Sequence, residues 1–131
     1  MGAWEAGPFE NDTALDWVAD LERAGAQAVR TALSVAADGY VEAPLGEEAV
    51  AAAEVVASAL GEPGQNLPEP VRRWLATNAG EIVPEDVTLA RGAMKRVVSE
   101  DSELKELWID DADDEFWPKA MEDLQRRLAA L

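Results

Sequence analysis

The sequence predicts an all-α fold, a compact bundle of roughly five to seven helices with an extended N-terminal arm, and three observations predict it. The 131-residue chain is 48% hydrophobic, which excludes wholesale disorder. Ala supplies 25 of its 63 hydrophobic residues while Ile supplies 2, and Ala favours helices whereas strands draw on β-branched and aromatic residues. Apolar residues also recur at three- and four-residue steps along most of the chain, and no strand-like alternation competes with them. A chain of this length fits one helical domain spanning residues 1–131.

The elements follow in order. Residues 2–10 combine Gly7, Pro8 and two aromatics without periodicity, so they read as the arm, whose Trp4 and Phe9 need burial. Asn11, Asp12 and Thr13 each offer a side-chain oxygen to a helix N-terminus. Behind them Ala14, Trp17, Val18, Leu21 and Ala24 form the stripe of the first helix, which Gly25 ends. A second helix fits 26–38, with Val29, Leu33 and Ala36 on one face and Gly39 as the stop. After a linker bearing Tyr40, the third helix fits 45–60, with Ala49, Val50, Ala53, Val56, Ala57 and Leu60 aligned and Gly61 beyond its end. Its alanines predict close approach to a neighbouring helix. Residues 61–68 read as a loop and as the expected site of mobility. Pro68 or Pro70 opens a short fourth helix that buries Val71, Trp74 and Leu75 and ends near Gly80. Pro84, Glu85 and Asp86 open the fifth, carried on by Val87, Ala90, Met94 and Val97. A corner at 99–102 precedes a short helical turn over 103–108, which presents Leu104, Leu107 and Trp108. The last helix holds Pro118 in its first turn and has its stripe at Trp117, Ala120, Met121, Leu124 and Leu128.

Eleven basic against 27 acidic residues give a formal charge of −16. Such a field repels nucleic acid and anionic membrane and attracts a basic protein or a cation. The longest apolar helical segment, 49–60, is interrupted by Glu54 and falls short of the about 20 residues a membrane span needs. The N-terminus shows no basic region followed by an apolar one, so a cytoplasmic protein is expected. The chain has no His and no Cys. That removes the usual ligands of zinc, copper, haem and iron–sulfur centres, disulfides, and Ser-His-Asp or Cys-His catalysis. No cofactor is expected, and only oxygen-ligand cations such as Mg²⁺ or Ca²⁺ stay open. An enzyme built on this chain would have to run on carboxylates, Lys, Ser or Tyr40, so a non-enzymatic role is favoured.

Two carboxylate groups are candidate binding sites. Asn11, Asp12 and Asp16 stand at the start of the first helix, with Asp12 and Asp16 one turn apart on the same side. They are either oxygen ligands or partner anchors, or else a helix cap with Asp16 accepting hydrogen bonds from the arm, Trp4 included. The second group is the run 100–115, whose nine carboxylates, among them Asp110, Asp111, Asp113 and Asp114, face Lys105 alone. It reads as a solvated face or a dock for a basic partner. As a calcium loop it fails, because Phe116 stands where the sharp turn needs Gly, and Glu122, at the twelfth place, lies on a helix. Trp74, Trp108 and Trp117 sit on apolar stripes and belong to the core rather than to a ligand cage. Arg72-Arg73, Lys95-Arg96 and Arg126-Arg127 are expected to pair with surplus carboxylates, since no glycine-rich phosphate loop accompanies them.

The opening string Met1-Gly2-Ala3-Trp4-Glu5-Ala6-Gly7-Pro8-Phe9-Glu10-Asn11-Asp12-Thr13-Ala14-Leu15-Asp16-Trp17 resembles the start of a bacterial family catalogued as domain of unknown function 4259. Its members begin with Met-Gly, a Trp-Gly pair, Gly-x-Phe, Asn-Asp, Ala and Asp at this spacing, and Glu5 replaces the expected Gly. The resemblance continues at Ser102-Glu103-Leu104, Leu107-Trp108 and Trp117, so it covers most of the chain. It implies a small helical domain, with Trp4, Gly7, Phe9, Trp17, Trp108 and Trp117 as its marks, and it implies no activity. The leading expectation is a small acidic binding protein that engages a basic protein, as an immunity-like or neutralising module does. The alternatives are a carboxylate-based Mg²⁺- or Ca²⁺-dependent enzyme acting through Asp12 and Asp16, and a structural homo-oligomer closed on an Ala-rich helix face.

Overall fold

Asn11 is extended and its side chain accepts the Ala14 amide at 2.7 Å, which satisfies one orphan N–H and starts α1 (Asp12–Ala24). The computed structural model describes residues 7–36, 39–109 and 116–131. Of the arm, Trp4 lies outside them. Its described end, Gly7 to Glu10, is a turn closed by the Glu10 amide on the Gly7 carbonyl, and it buries Phe9.

Gly25 turns the chain into α2 (Ala26–Val35) at φ +60°, a region that disfavours side chains. A Cβ there would stand 2.7 Å from Glu81 Oε1, the same oxygen that accepts the Ala26 amide at the start of α2. α2 ends at Val35, short of the expected 38, and residues 37–38 lie outside the described ones.

Helix α3 (Ala43–Ala59) begins two residues before the expected 45 because Pro44 fits the first turn and Glu103 Oε1 accepts the Ala43 amide at 2.7 Å. It was expected to bury one stripe. It is instead buried on every side from Ala49 to Ala57, the signature of a helix at the centre of a bundle. Ala49, Ala51, Ala52, Ala53 and Ala57 have no exposed surface, and their small side chains let α5 and α2 approach most closely, with α1, α4, α6 and α7 around the remainder.

α4 (Glu69–Asn78) runs into a 3-10 turn (Ala79–Glu81), then α5 (Pro84–Val97). At the start of α5, Asp86 accepts the Val83 amide at 2.9 Å. Val41 and Ser102 pair as an isolated bridge, with the Val41 amide on the Asp101 carbonyl at 2.8 Å and the Glu103 amide on the Val41 carbonyl at 2.9 Å, so the linker before α3 is fixed to the entrance of α6 (Glu103–Ile109). α7 (Phe116–Ala129) closes the bundle, and Arg91 of α5 donates Nε and Nη2 to the Leu128 carbonyl near its end. The fold is thus all-α: seven helices and, among the described residues, no strand. The buried side chains form one contiguous cluster, in which Leu21, Leu33, Met94, Met121, Leu124 and Leu128 are the largest fully enclosed hydrophobics.

Candidate functional site

The first carboxylate group divides. Asn11 is buried and serves as the cap of α1, whereas Asp12 and Asp16 are both exposed along its outer side. Among the described residues no three acidic groups are placed to share a metal ion. Asp12 instead acts on α3 through its charge. Glu47, half-buried on the seam between α1 and α3, is pushed above the ordinary carboxylate range first by burial, with the Thr13 hydroxyl holding it down and the Asp12 charge raising it further. Glu48 beside it is raised by burial and then by the charge of Asp20. Neither carboxylate has a basic partner among the described residues. Asp20 itself has one, Arg23 at 2.9 Å, an exposed pair that contributes little.

More carboxylates gather at the start of α3. The Tyr40 hydroxyl donates to Glu106 Oε2 at 3.1 Å. Its pKa is raised by desolvation, then by that hydrogen bond and by the charges of Glu106, Glu103 and Glu42. Glu42 is the residue that precedes α3, and Glu103 caps it. The positive end of the α3 dipole faces this group and offsets part of the repulsion. The second predicted group, Asp110, Asp111, Asp113 and Asp114, lies outside the described residues, as does the partnership expected between Asp16 and Trp4. The helices on either side of that run are joined by Trp108 and Trp117, whose rings stack at a centroid distance of 6.5 Å and an interplanar angle of 7°. Trp17, Trp74 and Trp117 are buried and Trp108 is half-buried against the core, as their stripes predict.

Two ion pairs escape a reading of the sequence. Arg30 of α2 grips Asp86 with Nε at 2.9 Å and Nη2 at 3.1 Å, and also donates to the Glu81 carbonyl. Burial pushes the Asp86 carboxyl up, but the hydrogen bonds from Arg30 and from the Val83 amide outweigh it and hold it below the usual range. The other pair lies in the bundle itself. Glu54, 2% exposed within the apolar centre of α3, receives Arg127 Nη1 at 2.7 Å and Nη2 at 2.6 Å. Ser58 Oγ at 2.9 Å and the Gly64 amide at 3.1 Å complete its shell. Arg127 Nη1 reaches the Glu62 carbonyl at 3.0 Å, so the loop expected to be mobile is tied at two backbone points. The Glu54 hydrogen bonds push the guanidinium pKa up against the effect of burial. The signal was present: a lone acid inside an apolar run must find a partner if the run is buried.

The basic pairs meet carboxylates in part. Arg126 and Arg127 both bond Asp123, and Arg96 lies 3.5 Å from Asp101, while Arg72 and Arg73 form no ion pair among the described residues. No described helix is long and apolar enough to cross a membrane. A family whose description reads "Domain of unknown function (DUF4259)" has a model that matches residues 2–120. No curated protein and no solved structure matches the chain.

Proposed function

The chain belongs to the DUF4259 family, whose description carries no activity, and we propose from its acidic face that it is a small binding protein for a basic protein partner. One observation carries this reading: Glu47 and Glu48 are half-buried carboxylates raised first by burial and further by the charges of Asp12 and Asp20, and no ion pair reaches either of them among the described residues. A free protein that keeps such a seam holds charge at a cost, and a Lys- or Arg-bearing partner removes it. Carboxylates at fixed positions on two packed helices are also pre-organised, so little side-chain ordering opposes association. The formal charge of −16 adds long-range steering of a basic partner at low ionic strength.

The test is affinity capture from a lysate of the source organism, with the whole chain as bait and a Glu47→Gln/Glu48→Gln bait in parallel. Captured proteins should be enriched in Lys and Arg, should elute as salt rises to about 0.15 M, and should be depleted on the variant bait. Captured proteins without a basic bias, or binding that neither salt nor the variant alters, would overturn the reading.

A further inference from the structure

A second site lies where the buried ion pair reaches the surface. Pro8 and Phe9, the loop 63–67 and the inner side of α7 enclose a cavity of about 500 Å³, within the range of small-molecule sites. Phe9, Leu67 and Ala120 give it an apolar wall, and Glu54, Asp123, Arg126 and Arg127, with Gln65, Asn66 and Lys119, give it a polar one. It shares no lining residue with the acidic face.

An inventory of donors and acceptors decides what the polar wall can take. Both Glu54 oxygens are occupied, Oε1 by Arg127 and Oε2 by Arg127, Ser58 and Gly64. Both Asp123 oxygens are occupied too, Oδ1 by Arg126 Nη2 and Oδ2 by Arg127 Nε. The carboxylates are therefore spent on the protein. The guanidiniums are not. Arg127 uses Nε, both N–H groups of Nη1 and one of Nη2, which leaves one Nη2 donor. Arg126 uses only Nη2 on Asp123, so its Nε and Nη1 donors have no acceptor among the described residues. The α7 guanidiniums thus offer N–H groups that the carboxylates of the wall do not fill, beside an apolar surface.

We propose that this cavity binds a small organic carboxylate with an apolar body, its carboxylate on Arg126 and Arg127 and its hydrocarbon against Phe9, Leu67 and Ala120. The spare donors are few and the chain as a whole repels anions, so a monoanion suits the site better than doubly charged phosphate. The inference stands apart from the protein–protein reading and can fail or hold without it.

Titration of the isotope-labelled whole chain with hexanoate, hexanol, hexylamine and inorganic phosphate, followed by amide chemical shifts, tests it. Hexanoate should bind most tightly of the four and shift the amides of Gly64, Leu67 and Ala120. Arg126→Gln, at an exposed position, should weaken hexanoate about tenfold, the loss of one charge-assisted hydrogen bond. Asp123→Asn should strengthen it, because the competing carboxylate is gone. That gain separates a ligand site from a merely structural pair. Hexanol or hexylamine binding as well as hexanoate, phosphate binding more tightly, shifts confined to other residues, or an Arg126→Gln variant with unchanged affinity would each overturn the proposal.

Discussion

At the scale of single residues, the consequential pair is Glu54 with Arg127. A charged group at the centre of an Ala- and Val-rich helix costs several kcal/mol in desolvation, on the order of magnitude typical for one buried ion, unless its hydrogen bonds are complete. Here they are complete on the Glu54 side, through Arg127, Ser58 and Gly64. Breaking the pair and replacing it should therefore have opposite consequences. Glu54→Leu alone strands the guanidinium, and Arg127→Met alone strands the carboxylate; each should lower the urea unfolding free energy by about 3–5 kcal/mol. The double variant should recover most of that loss, since neither charge remains to be solvated. It should also leave the loop 61–68 more protease-sensitive, because Gly64 and Glu62 lose their anchors. Two small single effects that simply add would show that the pair is not the lock its geometry implies.

At the scale of elements, what was legible followed from local chemistry. The start of α1 among Asn11, Asp12 and Thr13, of which Asn11 is the cap, its stop at Gly25 and the opening of α5 at Pro84 are properties of adjacent residues, and the structure places them within those expectations. The start of α3 is not local: its capping acceptor, Glu103, lies sixty residues on. The stripe assigned to α3 described one face, whereas the helix is surrounded, and no single-helix periodicity reports how many neighbours an element has. The acidic seam was hidden for a related reason. Asp12 and Asp16 share a helix face and were visible as a pair, but the effective neighbours of Asp12 and Asp20 are Glu47 and Glu48, which only the packing of α3 on α1 brings into reach. Surrounded alanines make their own prediction. Ala52 and Ala53 have no exposed surface, so Ala52→Leu should force α3 from its neighbours and cost about 1–3 kcal/mol in urea unfolding. An exposed control, Ala19→Leu on α1, should change stability by less than about 0.5 kcal/mol.

At the scale of the whole molecule, the charge of −16 is not inert ballast, because parts of it oppose the fold and parts support it. Glu47 and Glu48 have folded-state pKa values above the ordinary 4.5, so the native state binds their protons more readily than the unfolded chain does. Their contribution to stability is fully present below pH 4.5 and is lost as pH rises through the raised values. Asp86 behaves in the opposite sense. Its pKa lies below the ordinary 3.8, so its contribution is present above pH 3.8 and disappears as pH falls through the lowered value. Acidification from neutral pH should accordingly raise the thermal midpoint until Glu47 and Glu48 are protonated, and further acidification past 3.8 should lower it. Thermal unfolding followed by circular dichroism across that range checks the shape. The Glu47→Gln/Glu48→Gln variant should flatten the neutral limb, and Asp86→Asn should lower the midpoint above pH 3.8 while flattening the acid limb. A wild-type midpoint that falls steadily from neutral pH to 4.5 would contradict the strained seam. The burial and like charge that depress stability at neutral pH are what a basic partner of the proposed kind would offset, so its binding should flatten the neutral limb in the wild-type chain.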